Sequence, residues 1–326
     1  MFLLVIGLFL IIAAILGTLY AYRTAFYSHP QKRAKSTDAL NGPQYQAVAE
    51  NIHRMSSIME RIPYEPVAIR SYDGLHLYGR YYHVSDNAPL EILFHGYRSH
   101  PYRDCSGGHA LSRKMGFNAL VVDQRAHGAS DGSTISFGIL ERKDLFLWVN
   151  WANQRFGNQI PIILSGLSMG GATVLMSADQ PLPDNVCCII ADSPYSSPLE
   201  IIEKVAKDQH LPPKICRPFL LLAARFIGKF SLTETTAAKA VSKTRLPILL
   251  IHGEDDHFVP CEMSRTIATK GSNHIQLETF PDAGHGLCYM VDPKRYEYVV
   301  YHFLNKIPQI SKAILPSFRN QLFQEN

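Results

Sequence analysis

The run Ile160-Pro161-Ile162-Ile163-Leu164-Ser165-Gly166-Leu167-Ser168-Met169-Gly170-Gly171 constrains this chain more than any other stretch. It opens as a short, β-branched apolar segment, the pattern of a strand buried on both faces. It then passes through Gly-x-Ser-x-Gly into Ala172-Thr173-Val174-Leu175-Met176, a helix-compatible segment. A strand that turns this sharply into a helix puts its turn residue, Ser168, in a strained conformation. Gly166 and Gly170 then let the flanking backbones pass close by. Ser168 is expected at the tip with its hydroxyl presented. The Met169 amide is expected at a helix N-terminus, where it can meet a developing negative charge. A Gly-rich turn with an idle serine uses the same letters, so the rest of the chain has to decide between the two.

The chain has 326 residues, 46% apolar and 18% charged, enough for one large core. Its net charge of +4 is spread along the sequence, and no basic run is interleaved with aromatics. No nucleic-acid partner is expected. The six cysteines, at 105, 187, 188, 216, 261 and 288, lack metal-ligand spacing and read as free thiols in a reducing compartment. From Phe2 to Tyr22 there are 21 residues without a charge, long enough to cross a bilayer as a helix. There is no basic start and no small-x-small cleavage site, so residues 1–22 read as an uncleaved anchor rather than a signal peptide. No cation precedes the span, while Arg23, Lys32, Arg33 and Lys35 follow it. The positive-inside rule places the bulk of the chain on the cytoplasmic face.

Residues 23–65 read as a tether, polar over 28–45, followed by a helix with an apolar stripe at Val48, Ile52, Met55 and Met59. Residues 66–82 read as a hairpin around Asp73-Gly74. Strand-like runs follow at 90–94, 118–122, 161–164, 186–191, 246–251 and 274–279, mostly separated by helical stretches such as 105–115 and 140–153. With the hairpin this predicts eight strands in a mostly parallel sheet with helices on both faces. The connection between Asp192 and Arg245 is too long for an ordinary crossover. It carries helical segments at 199–207 and 218–230, and reads either as a cap over the sheet, about 193–245, or as a structural helix pair. Residues 66–308 form the expected main domain and 309–326 a tail.

A serine hydroxyl is a weak nucleophile at neutral pH and needs a base, which in turn needs an orienting acid. The acid candidates follow the strand at 246–251, in His252-Gly253-Glu254-Asp255-Asp256-His257-Phe258-Val259-Pro260. Asp256 is preferred to Asp255 because the loop is already turning back there. Asp192, at the end of the strand at 186–191, is a competitor. The base candidate among 14 histidines is His285, between Gly284 and Gly286 directly after the last strand. His95, His100 and His109 span a strand end, a loop and a helix, a poor arrangement for a metal. The second oxyanion donor is expected after the strand at 90–94, where Gly96 lets the Tyr97 amide approach a reacting carbonyl. His95 is expected to brace that loop.

Taken together, His95-Gly96-Tyr97, the turn from Asp123 to Gly132, Gly166-Leu167-Ser168-Met169-Gly170, Asp192-Ser193-Pro194-Tyr195, the loop from His252 to Pro260 and Ala283-Gly284-His285 resemble the α/β-hydrolase superfamily over about residues 66–308. In finer detail the chain resembles the bacterial, membrane-anchored, uncharacterised acyl-hydrolase-like subgroup, and is similar to catalytic domains of prolyl-oligopeptidase-type peptidases. The segment Phe137 to Leu145 supports that placement. The family pattern His-Gly-x-x-Asp-x-x-Val-Pro puts its aspartate on Asp256. Ala126 departs from the family's Asp-x-Arg-Gly-His-Gly turn, which carries glycine at that position.

The expected chemistry is serine hydrolysis through an acyl-enzyme. Ser168, His285 and Asp256 form the triad, and the Tyr97 and Met169 amides form the oxyanion hole; no metal or other cofactor is expected. The anchor and a cap rich in Phe and Leu favour a small-molecule ester with an apolar acyl group. An amidase or peptidase with the same triad is the nearer alternative, and a non-catalytic binding protein on the same fold the more distant one.

Overall fold

The computed structural model describes residues 2–33, 35, 43–271 and 273–324. The tether call at 34 and 36–42 lies outside the described residues. An eight-stranded sheet organises the rest, in the order β1-β2-β4-β3-β5-β6-β7-β8. The hairpin strands β1 (Glu65–Arg70) and β2 (His76–Tyr82) pair antiparallel, and β2 pairs antiparallel with β4 (Asn118–Val122). The remaining neighbours are parallel: β3 (Leu90–Phe94), β5 (Ile162–Leu167), β6 (Val186–Asp192), β7 (Ile248–Gly253) and β8 (Ile275–Phe280). β3, β4, β6 and β7 are buried along their whole length, which is why they read as unbroken apolar runs rather than alternating ones.

Alternate strand residues feed two cores. Ile92, Phe94, Leu164 and Ile189 pack on the side of helices Glu141–Phe156 and Met169–Met176. Ile163, Cys188, Ile190 and Ile251 pack on the side of helices Ser106–Met115 and Pro293–Asn305. The stretch expected as a tail joins the second core: Ile310, Ile314 and Phe318 are buried there, and residues Pro316–Gln324 are helical. Their apolar spacing across Pro308 and Pro316 hid a helix that only the neighbouring core could stabilise. All six cysteines are free.

One helix among the described residues, Phe2–Phe26, is long and apolar enough to cross a membrane. Its last turn and the residues after it do not hang free. Phe26 is fully buried, edge-on to Phe137 and Phe230. Ser28 Oγ donates to the Ala126 carbonyl at 2.7 Å, and the Arg33 guanidinium donates to the carbonyls of Gly128, Ser130 and Gly132 at 2.6–2.8 Å. The insertion between β6 and β7 carries the helices Pro198–Asp208 and Pro213–Leu222, continued by a π-turn at Ala223–Ile227. Its Phe219 ring lies against Gly17 of the N-terminal helix, where a Cβ would come within 2.9 Å of it.

Candidate active site

Ser168 links β5 to the helix Met169–Met176 with φ 55° and ψ −115°. That left-handed φ is rare for a residue with a Cβ and is held by its surroundings. The Ser168 amide donates to the Asp192 carbonyl at 2.8 Å. A Cβ on Gly166 would lie 2.3 Å from the Gly170 backbone, and one on Gly170 would lie 2.0 Å from the Phe94 carbonyl oxygen. Both contacts are far inside van der Waals distance, so the crossing of β3, β5 and the helix requires glycine at these two positions.

Ser168 Oγ stands 2.9 Å from Nε2 of His285, and Nδ1 of the same ring stands 2.7 Å from Oδ2 of Asp256. Asp256 Oδ1 accepts from the amides of Phe258 and Val259 at 2.9 and 2.7 Å. Burial alone would raise the proton affinity of Asp256. Hydrogen bonds from His252 and His285, with their charges, outweigh it and hold the carboxyl well below the usual carboxylate range. An ionised carboxylate can only accept, so the Nδ1 proton faces Asp256 and the Nε2 lone pair is left for the serine hydroxyl.

The competing acids lie elsewhere. Asp255 is exposed. The Asp192 carboxylate accepts from Ser193 Oγ at 2.9 Å, and burial pushes its pKa up to about 6. The part of His252 was not legible in the sequence. It is fully buried, its Nε2 donates to the Val259 carbonyl at 2.8 Å and lies 3.2 Å from Asp256 Oδ2, and Nδ1 stands 2.6 Å from Ser264 Oγ. Spacing alone places a histidine four residues before the acid; only the loop's curvature aims it back.

The loop after β3 is fixed from several sides. Gly96 N donates to Asp104 Oδ2 at 2.8 Å. His95 Nδ1 donates to the Gly96 carbonyl at 2.9 Å while Nε2 accepts from the Gln124 amide at 3.2 Å. Burial lowers the pKa of His95, in keeping with a neutral ring in that bracing position. Among the described residues neither the Tyr97 amide nor the Met169 amide has a hydrogen-bond acceptor. Ala126, the departure from the usual glycine, takes φ 62° while fully buried, so the turn keeps the glycine-type conformation without the glycine.

A cavity of about 370 Å³ opens on Ser168 and His285. Its lining combines the apolar Leu93, Leu111 and Ile190 with the polar Glu91, Ser165 and Tyr296. Burial raises the pKa of Glu91, whose carboxyl is hydrogen-bonded to Ser112 Oγ. At the mouth, Phe258 lies 5.1 Å from the His285 ring, and Tyr45 Oη donates to the His285 carbonyl at 3.3 Å. Tyr45, where the expected tether meets the expected helix, thus reaches the loop of His285. Lys204 of the insertion donates to the His257 carbonyl beside Phe258. His100 caps the turn at Pro101–Asp104, His109 packs on Tyr82, and among the described residues no group of three or more His, Cys, Asp or Glu is placed to hold a metal ion.

This strand order, with the serine at the β5 turn, is shared with solved structures. The Pyrococcus furiosus esterase Pf2001 superposes with a TM-score of 0.61 at 22% identity, covering 85% of this chain and 98% of that one. The chain has the α/β-hydrolase fold. The ferulic acid-bound Est1E of Butyrivibrio proteoclasticus gives a TM-score of 0.56 at 21% identity, over 74% of this chain and 98% of that one. At these identities the structures speak for the fold alone. A family model described as serine aminopeptidase, S33 (Hydrolase_4) matches residues 88–234, a stretch that includes Ser168 but ends before Asp256 and His285. Among curated relatives, the uncharacterized protein YqkD of Bacillus subtilis (strain 168) is 25% identical over 261 residues, 79% of this chain and 85% of that one. Protein ABHD12B of Homo sapiens is 26% identical over 212 residues, 61% of this chain and 56% of that one.

Proposed function

We propose that this α/β hydrolase is a serine hydrolase that cleaves carboxylic esters through an acyl-enzyme. The observation that carries the reading is the unbroken hydrogen-bond chain from Ser168 through His285 to Asp256, at 2.9 and 2.7 Å. In this mechanism His285 takes the serine proton as Ser168 Oγ attacks the ester carbonyl. Asp256, already ionised, steadies the imidazolium that results. The tetrahedral oxyanion is received by the Tyr97 and Met169 amides, which have no other acceptor among the described residues. His285 then returns the proton to the leaving alcohol, and water reverses the sequence to release the acid.

The apolar walls of the cavity favour an apolar acyl group, and the esterase names carried by the solved neighbours point the same way. The insertion acts in this reading as a cap, supported by its Lys204 contact to the loop that holds Asp256 and Phe258. The apolar helix that starts at Phe2 is the anchor. Arg23 and Lys32, both exposed, favour the cytoplasmic face for the domain at 66–308; Arg33 is engaged by backbone carbonyls instead of facing outward.

The test is turnover of short p-nitrophenyl esters together with fluorophosphonate labelling. Both are expected in the wild type and lost in Ser168→Ala; turnover that survives the substitution would exclude the mechanism. A second reading, cleavage of peptide amides by the same residues, is favoured by the aminopeptidase description of the matching family model. Comparing kcat/KM for matched ester and amide substrates separates the two.

A further inference from the structure

The residues that follow the apolar helix reach the loop that carries the Tyr97 amide. Tyr97 Oη donates to the Ala25 carbonyl at 2.7 Å. The neighbouring Arg98 guanidinium donates to the carbonyls of Thr24 and Tyr27, both at 2.9 Å. The Tyr97 ring stacks on Phe137 at 4.8 Å, and Phe137 in turn meets the buried Phe26 edge-on. Arg98 takes φ 48°, a left-handed conformation that is unfavourable for a side-chain-bearing residue and has to be held in place. The Tyr97 amide thus sits between Gly96, fixed by Asp104, and Arg98, whose own amide donates to His127 Nε2 at 2.9 Å. Besides the bonds of His95 Nδ1 and the Ser99 amide to the Gly96 carbonyl, this loop is supported by the carbonyls of Thr24, Ala25 and Tyr27.

We propose that Thr24–Tyr27 is a positioning element of the oxyanion hole and is retained in the working enzyme. The inference rests on the reading of the Tyr97 amide as an oxyanion donor. Backbone carbonyls have no chemistry to offer the substrate. What they fix is the direction of an amide whose partner exists only in the transition state. Displacing such a donor by about 1 Å weakens transition-state stabilisation and leaves ground-state binding alone.

The test uses the full-length protein in detergent with p-nitrophenyl butyrate. Tyr97→Phe keeps the stacked ring and removes the bond to Ala25. Arg98→Asn tolerates the left-handed backbone and removes the bonds to Thr24 and Tyr27. Each is expected to lower kcat about tenfold, and the pair about a hundredfold, with KM within about twofold. A trifluoromethyl ketone, which adds to Ser168 and places an oxyanion in the hole, is expected to lose affinity by the same factor as kcat. Intact mass of the chain recovered from producing membranes is expected to retain residues 22–33. Unchanged kcat and ketone affinity in the folded double variant would overturn the proposal, as would a fully active chain that begins after Tyr27. If the double variant does not fold, the two single variants decide by the same split between kcat and KM. Failure of the serine-hydrolase reading has a different signature: the wild type itself shows no turnover that depends on Ser168.

Discussion

Nε2 of His252 lies 3.2 Å from Oδ2 of Asp256, the same oxygen that meets Nδ1 of His285. One carboxylate oxygen is thus approached by two imidazoles, one fully buried and one at the cavity mouth. The second histidine helps to keep the buried Asp256 ionised. His252→Ala is expected to lower kcat about tenfold with little change in KM, because the carboxylate then holds His285 less firmly. It also orphans Ser264 and the Val259 carbonyl, at about 1–3 kcal/mol of stability. Asp256→Asn is expected to lower kcat about 10³–10⁴-fold. Steady-state kinetics with urea unfolding check both effects.

The 2.0 Å approach between a Cβ at position 170 and the Phe94 carbonyl leaves no room for adjustment, since the obstacle is backbone. Gly170→Ala is expected to destabilise the fold by more than about 3 kcal/mol or to abolish soluble expression. A unfolding midpoint close to that of the wild type would contradict the packing described at this crossing.

Asp192 carries a pKa raised to about 6 by burial, against about 3.9 in an unfolded chain. The folded state therefore holds this proton more tightly than the unfolded state does. Its contribution weakens stability progressively as pH rises from about 4 to about 6, and the penalty persists above that. Asp192→Asn removes the titration while leaving an acceptor for Ser193. Relative to wild type, the variant is expected to gain stability that rises from about 1 kcal/mol at pH 4.5 to about 3 kcal/mol at pH 7. Denaturant titrations at several pH values across that window measure it.

Phe26, fully buried between Phe137 and Phe230, belongs to the core although it ends the apolar N-terminal helix. Phe26→Ala is expected to cost about 3–5 kcal/mol. A substitution in a free linker would cost nothing measurable, so thermal unfolding of the full-length variant distinguishes the two.

Much of this architecture is written locally. Apolar runs at 90–94, 118–122 and 186–191 are doubly buried strands because nothing polar interrupts them, and the glycines around Ser168 announce a tight strand-to-helix crossing. The order of serine, acid and histidine along the chain was equally open to inspection, since each stands just beyond a strand. What the sequence could not determine is anything that depends on distant segments meeting. The polar stretch after the apolar helix looked like a tether because its hydrogen-bond partners, the carbonyls at 126–132 and the side chains of Tyr97 and Arg98, lie about seventy to a hundred residues away. The last residues looked like a tail because their core is supplied by other elements. Periodicity reports which face of an element is apolar; only tertiary packing decides what covers that face, and which carboxylate finally stands behind which imidazole.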